Sequence, residues 1–135
     1  MENDKDVKNI LIVDDSDVHL LIADNLLKEK YKTVMAKSGK EALRLLTGGY
    51  TPNLILLDIL MPDMDGWETF NLIKGINHLR DVPVAFLTSL NGAREKQYAA
   101  NIGAADMISK PYDGDDLLNR IDKMLNYQPE IAEQS

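Results

Sequence analysis

The sequence predicts a single α/β domain in which a parallel sheet is covered by helices on both faces. Four short apolar blocks at residues 10–13, 34–36, 54–57 and 84–87, with a weaker fifth at 107–108, recur along the chain. Three of them are apolar on successive residues and do not alternate, as strands are when buried on both faces. Longer segments with helical spacing separate the blocks, and 135 residues that are 44% apolar furnish one core and leave little room for a second domain.

The elements follow in order. After the first block, Val18, Leu21, Ile22 and Leu26 stand at i, i+3, i+4 and i+8, which predicts a first helix that lays this stripe on the sheet. Ser38 and Glu41 have the spacing of a capping box for a second helix, which Gly48-Gly49 ends, and Asp65 with Glu68 repeats the arrangement for a third. Pro52 and Pro83 stand just ahead of the third and fourth strands, where a missing amide donor does least harm. A fourth helix over 93–102 is rich in alanine, has Tyr98 as its one large ring, and stops at Gly103. Asp113 is the expected N-cap of the last helix, whose Leu117, Ile121, Met124 and Leu125 form its apolar face. The folded unit is expected over 8–127, with polar, flexible ends at 1–7 and 128–135. No repeat or internal linker is present.

Charge and composition exclude several functions. Twenty-two acidic against 15 basic residues give a net charge of −7, the wrong sign for gripping nucleic acid or anionic lipid directly. There is no cysteine, hence no disulfide, thiolate metal site or thiol catalysis. Apolar runs stop at four residues and the start carries no secretory apolar segment, so a cytoplasmic protein that does not enter a membrane is expected.

Chemistry is expected at the carboxyl ends of the strands, where an open α/β sheet leaves a crevice. Strand one runs into Asp14-Asp15, strand three into Asp58, strand four into Thr88-Ser89 and strand five into Lys110-Pro111. Taken singly, each has an ordinary explanation: aspartates cap helices, lysines are solvated, and threonines end strands. Together they converge on one edge. Three carboxylates there repel by about 1 kcal/mol per pair in water and about 4 kcal/mol near a protein surface at 4 Å. A hard divalent cation held by oxygens, together with Lys110, relieves that repulsion, and Mg²⁺ suits a site of few carboxylates. Such equipment fits phosphoryl transfer, with the spare carboxylate as nucleophile.

Over about residues 8–127 the chain resembles a receiver domain of the two-component response regulators. The resemblance rests on an ordered set: Asp14-Asp15, then Asp58 followed by Met61-Pro62-Asp63-Met64-Asp65-Gly66, then Thr88, then Lys110-Pro111. It implies a flavodoxin-like five-stranded parallel sheet in the order 2-1-3-4-5. It also implies that Asp58 takes a phosphoryl group from a phosphohistidine on a kinase or phosphotransfer protein. Mg²⁺ would be held by Asp15 directly, by Asp14 mainly through water, by Asp58 and by the Leu60 backbone carbonyl. Lys110 would contact one phosphoryl oxygen and Thr88 another, and the Lys110–Pro111 bond would be cis. Phosphorylation would shift the face made by helix four, strand five and helix five. Output then passes to a downstream effector or a fused output domain, and whether that face meets a second receiver, as in a homodimer, or a different protein stays open. Such a domain catalyses its own phosphorylation and dephosphorylation and is not a metabolic enzyme.

The loop after Asp58 is expected to be a turn, with Pro62 breaking the strand, Gly66 supplying an unusual backbone angle, and Asp63 and Asp65 serving turn and cap. Three positions before the lysine, where the family commonly has an aromatic ring, stands Met107, a flexible side chain suited to a core. Leu60 and Leu90, two residues past Asp58 and Thr88, cannot orient a water, which points to slow loss of a phosphoryl group unless they only fill space. His19 falls early in helix one on the expected kinase side, His78 in no metal pair, and Trp67 at a packing position.

Two alternatives remain at this level. A haloacid-dehalogenase-like phosphatase would use the D-x-D spacing of Asp15-Ser16-Asp17 and leave Asp58 idle, and a receiver-like scaffold would signal without phosphorylation. A dinucleotide site is disfavoured, because the turn after strand one is acidic and lacks glycine.

Overall fold

The computed structural model describes residues 7–126 apart from residue 91; of the expected flexible ends, all but position 7 lie outside the described residues. Strands β1 (Asn9–Val13), β2 (Lys32–Ala36), β3 (Leu54–Leu57), β4 (Val84–Thr88) and β5 (Asp106–Ser109) alternate with helices α1 (Asp17–Leu27), α2 (Gly39–Thr47), α3 (Gly66–Lys74), α4 (Ala93–Ile102) and α5 (Gly114–Leu125). A 3-10 turn, Asn77–Leu79, precedes β4. All strand pairs are parallel, in the order β2-β1-β3-β4-β5, the flavodoxin-like arrangement.

The successive apolar residues of the strands divide between two cores, which is why they do not alternate with polar ones. Ile10, Ile12, Leu54, Leu56, Leu87 and Ile108 pack on Leu20, Ala23 and Leu27 of α1 and Leu117 and Ile121 of α5. Leu11, Val13, Ile55, Leu57, Phe86 and Met107 pack on Ala42 and Leu46 of α2, Phe70 and Ile73 of α3, and Ala99 of α4. The caps form as the spacing predicts. Ser38 Oγ accepts the Glu41 N–H, Asp65 Oδ1 the Glu68 N–H and Asp113 Oδ1 those of Asp115 and Asp116, each cap stabilising its helix by about 1 kcal/mol. Glu41 reaches back to the Lys37 N–H, one residue earlier than a capping box requires. Gly103 closes α4 in the left-handed region at φ 94°.

Two expectations are corrected. The stripe assigned to the sheet side of α1 faces outward instead: Val18, Leu21 and Ile22 are 64%, 60% and 45% exposed, and only Leu26 is partly packed. Leu20, Ala23 and Leu27 carry the buried face. They also satisfy helical spacing, and with apolar residues on both sides of α1 periodicity alone does not select the rotation; the small Ala23 lets the helix lie close to the strands. The loop after Asp58 is also built differently. Its left-handed residue is Asp63, at φ 69°, whereas Gly66 is required for space and not for its angle.

Candidate functional site

Strand register assembles the site. Val13 lies opposite Leu57 in the β1–β3 pair, so the next residues, Asp14 and Asp58, leave the sheet side by side. Their backbone amides continue the ladder, with Asp14 donating to the Ala36 carbonyl at 3.0 Å and Asp58 to that of Val13 at 2.9 Å. Thr88 lies opposite Ser109, and the Lys110 N–H donates to the Thr88 carbonyl at 3.0 Å, which brings the lysine to the same edge. The Lys110–Pro111 peptide is cis.

Carboxylate oxygens of Asp14, Asp15 and Asp58 all lie within 4.8 Å of one another. Asp14 and Asp58 are buried and Asp15 is exposed. Both Asp14 oxygens are engaged: Oδ1 accepts the Ser16 N–H at 3.0 Å and Oδ2 the Lys110 ammonium at 2.6 Å. Asp15 accepts no hydrogen bond among the described residues. Lys110 Nζ also donates to Asp58 Oδ2 at 3.3 Å and lies 2.8 Å from His19 Nδ1. Burial pushes the Asp58 carboxyl above the usual carboxylate range; the Lys110 charge opposes this and the Asp14 charge adds to it. An all-oxygen donor set with one exposed carboxylate and two buried ones fits a hard cation such as Mg²⁺, which keeps part of its water shell.

A cleft of about 660 Å³ opens over this cluster, lined by Asp15, Asp58, Lys110, His19, Leu60 and Tyr112 among others. The Tyr112 hydroxyl is buried without a hydrogen-bond partner among the described residues, and its pKa is raised by burial and by the charges of Asp14 and Asp58. Of the residues singled out in the sequence, Asp14, Asp15, Asp58 and Lys110 come together, and Leu60 stands at the mouth, 53% exposed. Thr88 does not line the cleft. It is fully buried and its Oγ1 accepts the Leu90 N–H at 3.0 Å, while Ser89 takes the place on the cleft wall. Leu90 packs on the core beside α3 and α4, as does Trp67, whose ring meets Phe86 and Tyr98 edge-on at 4.7 and 4.8 Å. Asp17 pairs with Lys37 at 2.8 Å and is not part of the carboxylate cluster of Asp14, Asp15 and Asp58, a placement that does not favour the D-x-D phosphatase reading. His19 and Tyr112 were not legible as members of the site. The one sequence signal for His19 is its place in the first turn of a helix that begins at the carboxyl edge.

Comparison with known proteins agrees. A family model described as the response regulator receiver domain matches residues 10–122. The chain is 41% identical over 102 residues to a probable cyclic di-GMP phosphodiesterase of Vibrio cholerae, covering 76% of this chain and 23% of that protein. It is 32% identical over 122 residues to protein PilG of Pseudomonas aeruginosa, 90% of each chain, and 32% identical over 125 residues to response regulator PleD of Caulobacter vibrioides, of which it spans 27%. Among solved structures, the signal receiver domain of a signal transduction histidine kinase from Syntrophus aciditrophicus superposes with a TM-score of 0.79 at 36% identity, covering 88% of this chain and 90% of that one. The chemotaxis protein CheY4 of Vibrio cholerae gives 0.82 at 25% identity, covering 87% and 98%. With the ordered acidic set, the lysine and the sheet topology all in place, this chain belongs to the response regulator receiver domain family.

Proposed function

We propose that this receiver, taken as residues 8–127, is a phosphoacceptor switch in which Asp58 is the nucleophile. The observation that carries the proposal is the meeting of the Asp14, Asp15 and Asp58 oxygens within 4.8 Å, with Lys110 3.3 Å from Asp58 at the floor of an open cleft. An Asp58 oxygen attacks the phosphorus of a phosphohistidine on a kinase or phosphotransfer protein; the P–N bond breaks, the imidazole leaves with a proton, and an acyl phosphate forms. Asp15, Asp14, Asp58 and the Leu60 carbonyl would hold Mg²⁺, which when bound supplies charge neutralisation for the phosphoryl oxygens. Lys110 offers the second positive charge, and Asp58 serves as a carboxylate because Lys110 offsets part of the penalty of its burial. Hydrolysis by water returns phosphate and the free carboxylate, so the domain modifies itself and turns over no metabolite.

The exposed apolar stripe Val18, Leu21 and Ile22 supports a protein donor, since Ile22 lines the same cleft and a partner lying on α1 covers both. Output is assigned to the face of α4, β5 and α5. Turning Thr88 Oγ1 to a phosphoryl oxygen withdraws it from the Leu90 amide and frees the loop into α4. That helix is lightly anchored, with Ala99 as its one buried residue and Tyr98 resting on Trp67. The partner at that face is an effector, a fused output domain or a second receiver, and the setting is cytoplasmic; among the described residues no helix is long and apolar enough to cross a membrane. The test is intact mass after exposure to a small phosphodonor with Mg²⁺. One phosphoryl group should be gained by the wild type and none by Asp58→Asn, and no Asp58-dependent gain would leave the scaffold reading in its place.

A further inference from the structure

We propose that His19 is a positioning residue for phosphoryl transfer, its Nδ1 holding the Lys110 ammonium in reach of Asp58. The proposal rests on the reading of Asp58 as phosphoacceptor. An ammonium has three protons to donate and accepts nothing. Lys110 Nζ has three acceptors: Asp14 Oδ2 at 2.6 Å, His19 Nδ1 at 2.8 Å and Asp58 Oδ2 at 3.3 Å. Because Lys110 only donates, the ring nitrogen it meets is the lone-pair nitrogen, and the ring proton sits on Nε2.

His19 is held where it can do this. Its backbone N–H donates to Ser16 Oγ, the N-cap of α1, at 3.2 Å, so it occupies the first turn of the helix that leaves the carboxyl edge. The His19 side chain is 45% exposed whereas that of Lys110 is 10% exposed, and both line the cleft, so the imidazole stands beside the ammonium on the solvent side of the site. A part-buried ammonium whose third proton lacks a fixed acceptor swings toward the water of the cleft, away from Asp58.

The three acceptors differ in what the reaction asks of them. Asp58 becomes the acyl phosphate, and Asp14 belongs to the acidic cluster that takes the cation. His19 alone is neither nucleophile nor cation ligand, so neither phosphorylation nor cation binding draws it away from Lys110. It is also the one that carries no negative charge, so it fixes the ammonium without cancelling its charge, which stays available to the phosphoryl oxygens.

The test uses the whole chain and a small phosphodonor, so that no protein docking on α1 enters the result. Three proteins are compared, the wild type, His19→Leu and His19→Asn, the last placing an amide oxygen near the position of Nδ1. Asp58 labelling with Mg²⁺ at saturating donor should slow by about tenfold in His19→Leu, with the half-saturating donor concentration little changed, and His19→Asn should recover most of the lost rate. In metal-free protein, the Lys110 ammonium should give a protected ¹⁵N-coupled proton signal in the wild type and in His19→Asn, and lose it to exchange with water in His19→Leu. An unchanged labelling rate in His19→Leu, or a loss that His19→Asn shares in full, overturns the inference and leaves the phosphoacceptor reading standing. A wild type that never labels overturns the phosphoacceptor reading and this inference with it.

Discussion

Gly66 is seated against the main chain of Asp58. A Cβ placed on Gly66 would fall 2.2 Å from the Asp58 carbonyl oxygen and 2.6 Å from Ile59 Cα, and the Gly66 N–H donates to the Ile59 carbonyl at 2.8 Å. The obstacle is backbone, which cannot rotate aside as a flexible side chain does. Gly66→Ala is therefore expected to destabilise the fold by about 1–3 kcal/mol. It should also slow Asp58 labelling, because relief of the clash moves the nucleophile. Urea unfolding would show a lower midpoint with the slope retained.

Asp58 itself strains the fold at neutral pH. Its pKa is higher in the folded state because it is buried, so the folded protein binds that proton more tightly than the unfolded chain does. The favourable contribution is present below the ordinary carboxylate pKa and is lost as pH rises through the raised value. Asp58→Asn should consequently be more stable than the wild type at neutral pH. The difference should fade below about pH 4, where the carboxyl is protonated in both states. Saturating Mg²⁺, at a hundred times its Kd, should stabilise the wild type by about 2.7 kcal/mol and Asp58→Asn by less. Melting curves across pH, with and without Mg²⁺, measure all three.

Leu60 and Leu90 separate in the structure. Leu60 lines the cleft beside Asp58, whereas Leu90 packs on the core. Leu60→Asn places an amide where attacking water approaches and should hasten phosphoryl loss by about tenfold. Leu90→Asn should chiefly lower stability. The decay of labelled protein after the donor is removed decides between them, and equal decay in wild type and Leu60→Asn would assign Leu60 to space filling.

Met107 is 9% exposed, lies opposite Phe86 across β4 and β5, and packs in the core shared with α3 and α4. Met107→Ala should cost about 2–4 kcal/mol. The loop between β4 and α4 should still respond to a phosphoryl mimic in that variant, because the Thr88 to Leu90 hydrogen bond does not pass through Met107. Amide spectra of α4 with and without the mimic measure the response.

The strands and the acidic edge were legible because each reports a local rule. A strand buried on both faces must be apolar throughout, and the residue after its last one must emerge at the carboxyl edge, as Asp14 and Asp58 do. Helix α1 was harder. Leu20, Leu21, Ile22 and Ala23 are consecutive and apolar, so spacing fits two faces, and only packing against β1 and α5 chooses Leu20, Ala23 and Leu27. Gly66 was known to matter, yet its reason is a close approach across the loop that no dihedral preference reveals. His19 and Tyr112 are separated from Asp58 by 39 and 54 positions, and their membership of the site depends on side-chain direction at the cleft.

The most direct measurement is the position of the phosphoryl group. Borohydride reduces an aspartyl phosphate to homoserine, so labelled protein treated in this way and mapped by peptide mass carries a permanent record of the residue that reacted. Homoserine at position 58 alone, dependent on Mg²⁺, is the expected result; homoserine at 14 or 15, phosphate on a histidine, or no reacted residue would contradict Asp58 as the acceptor.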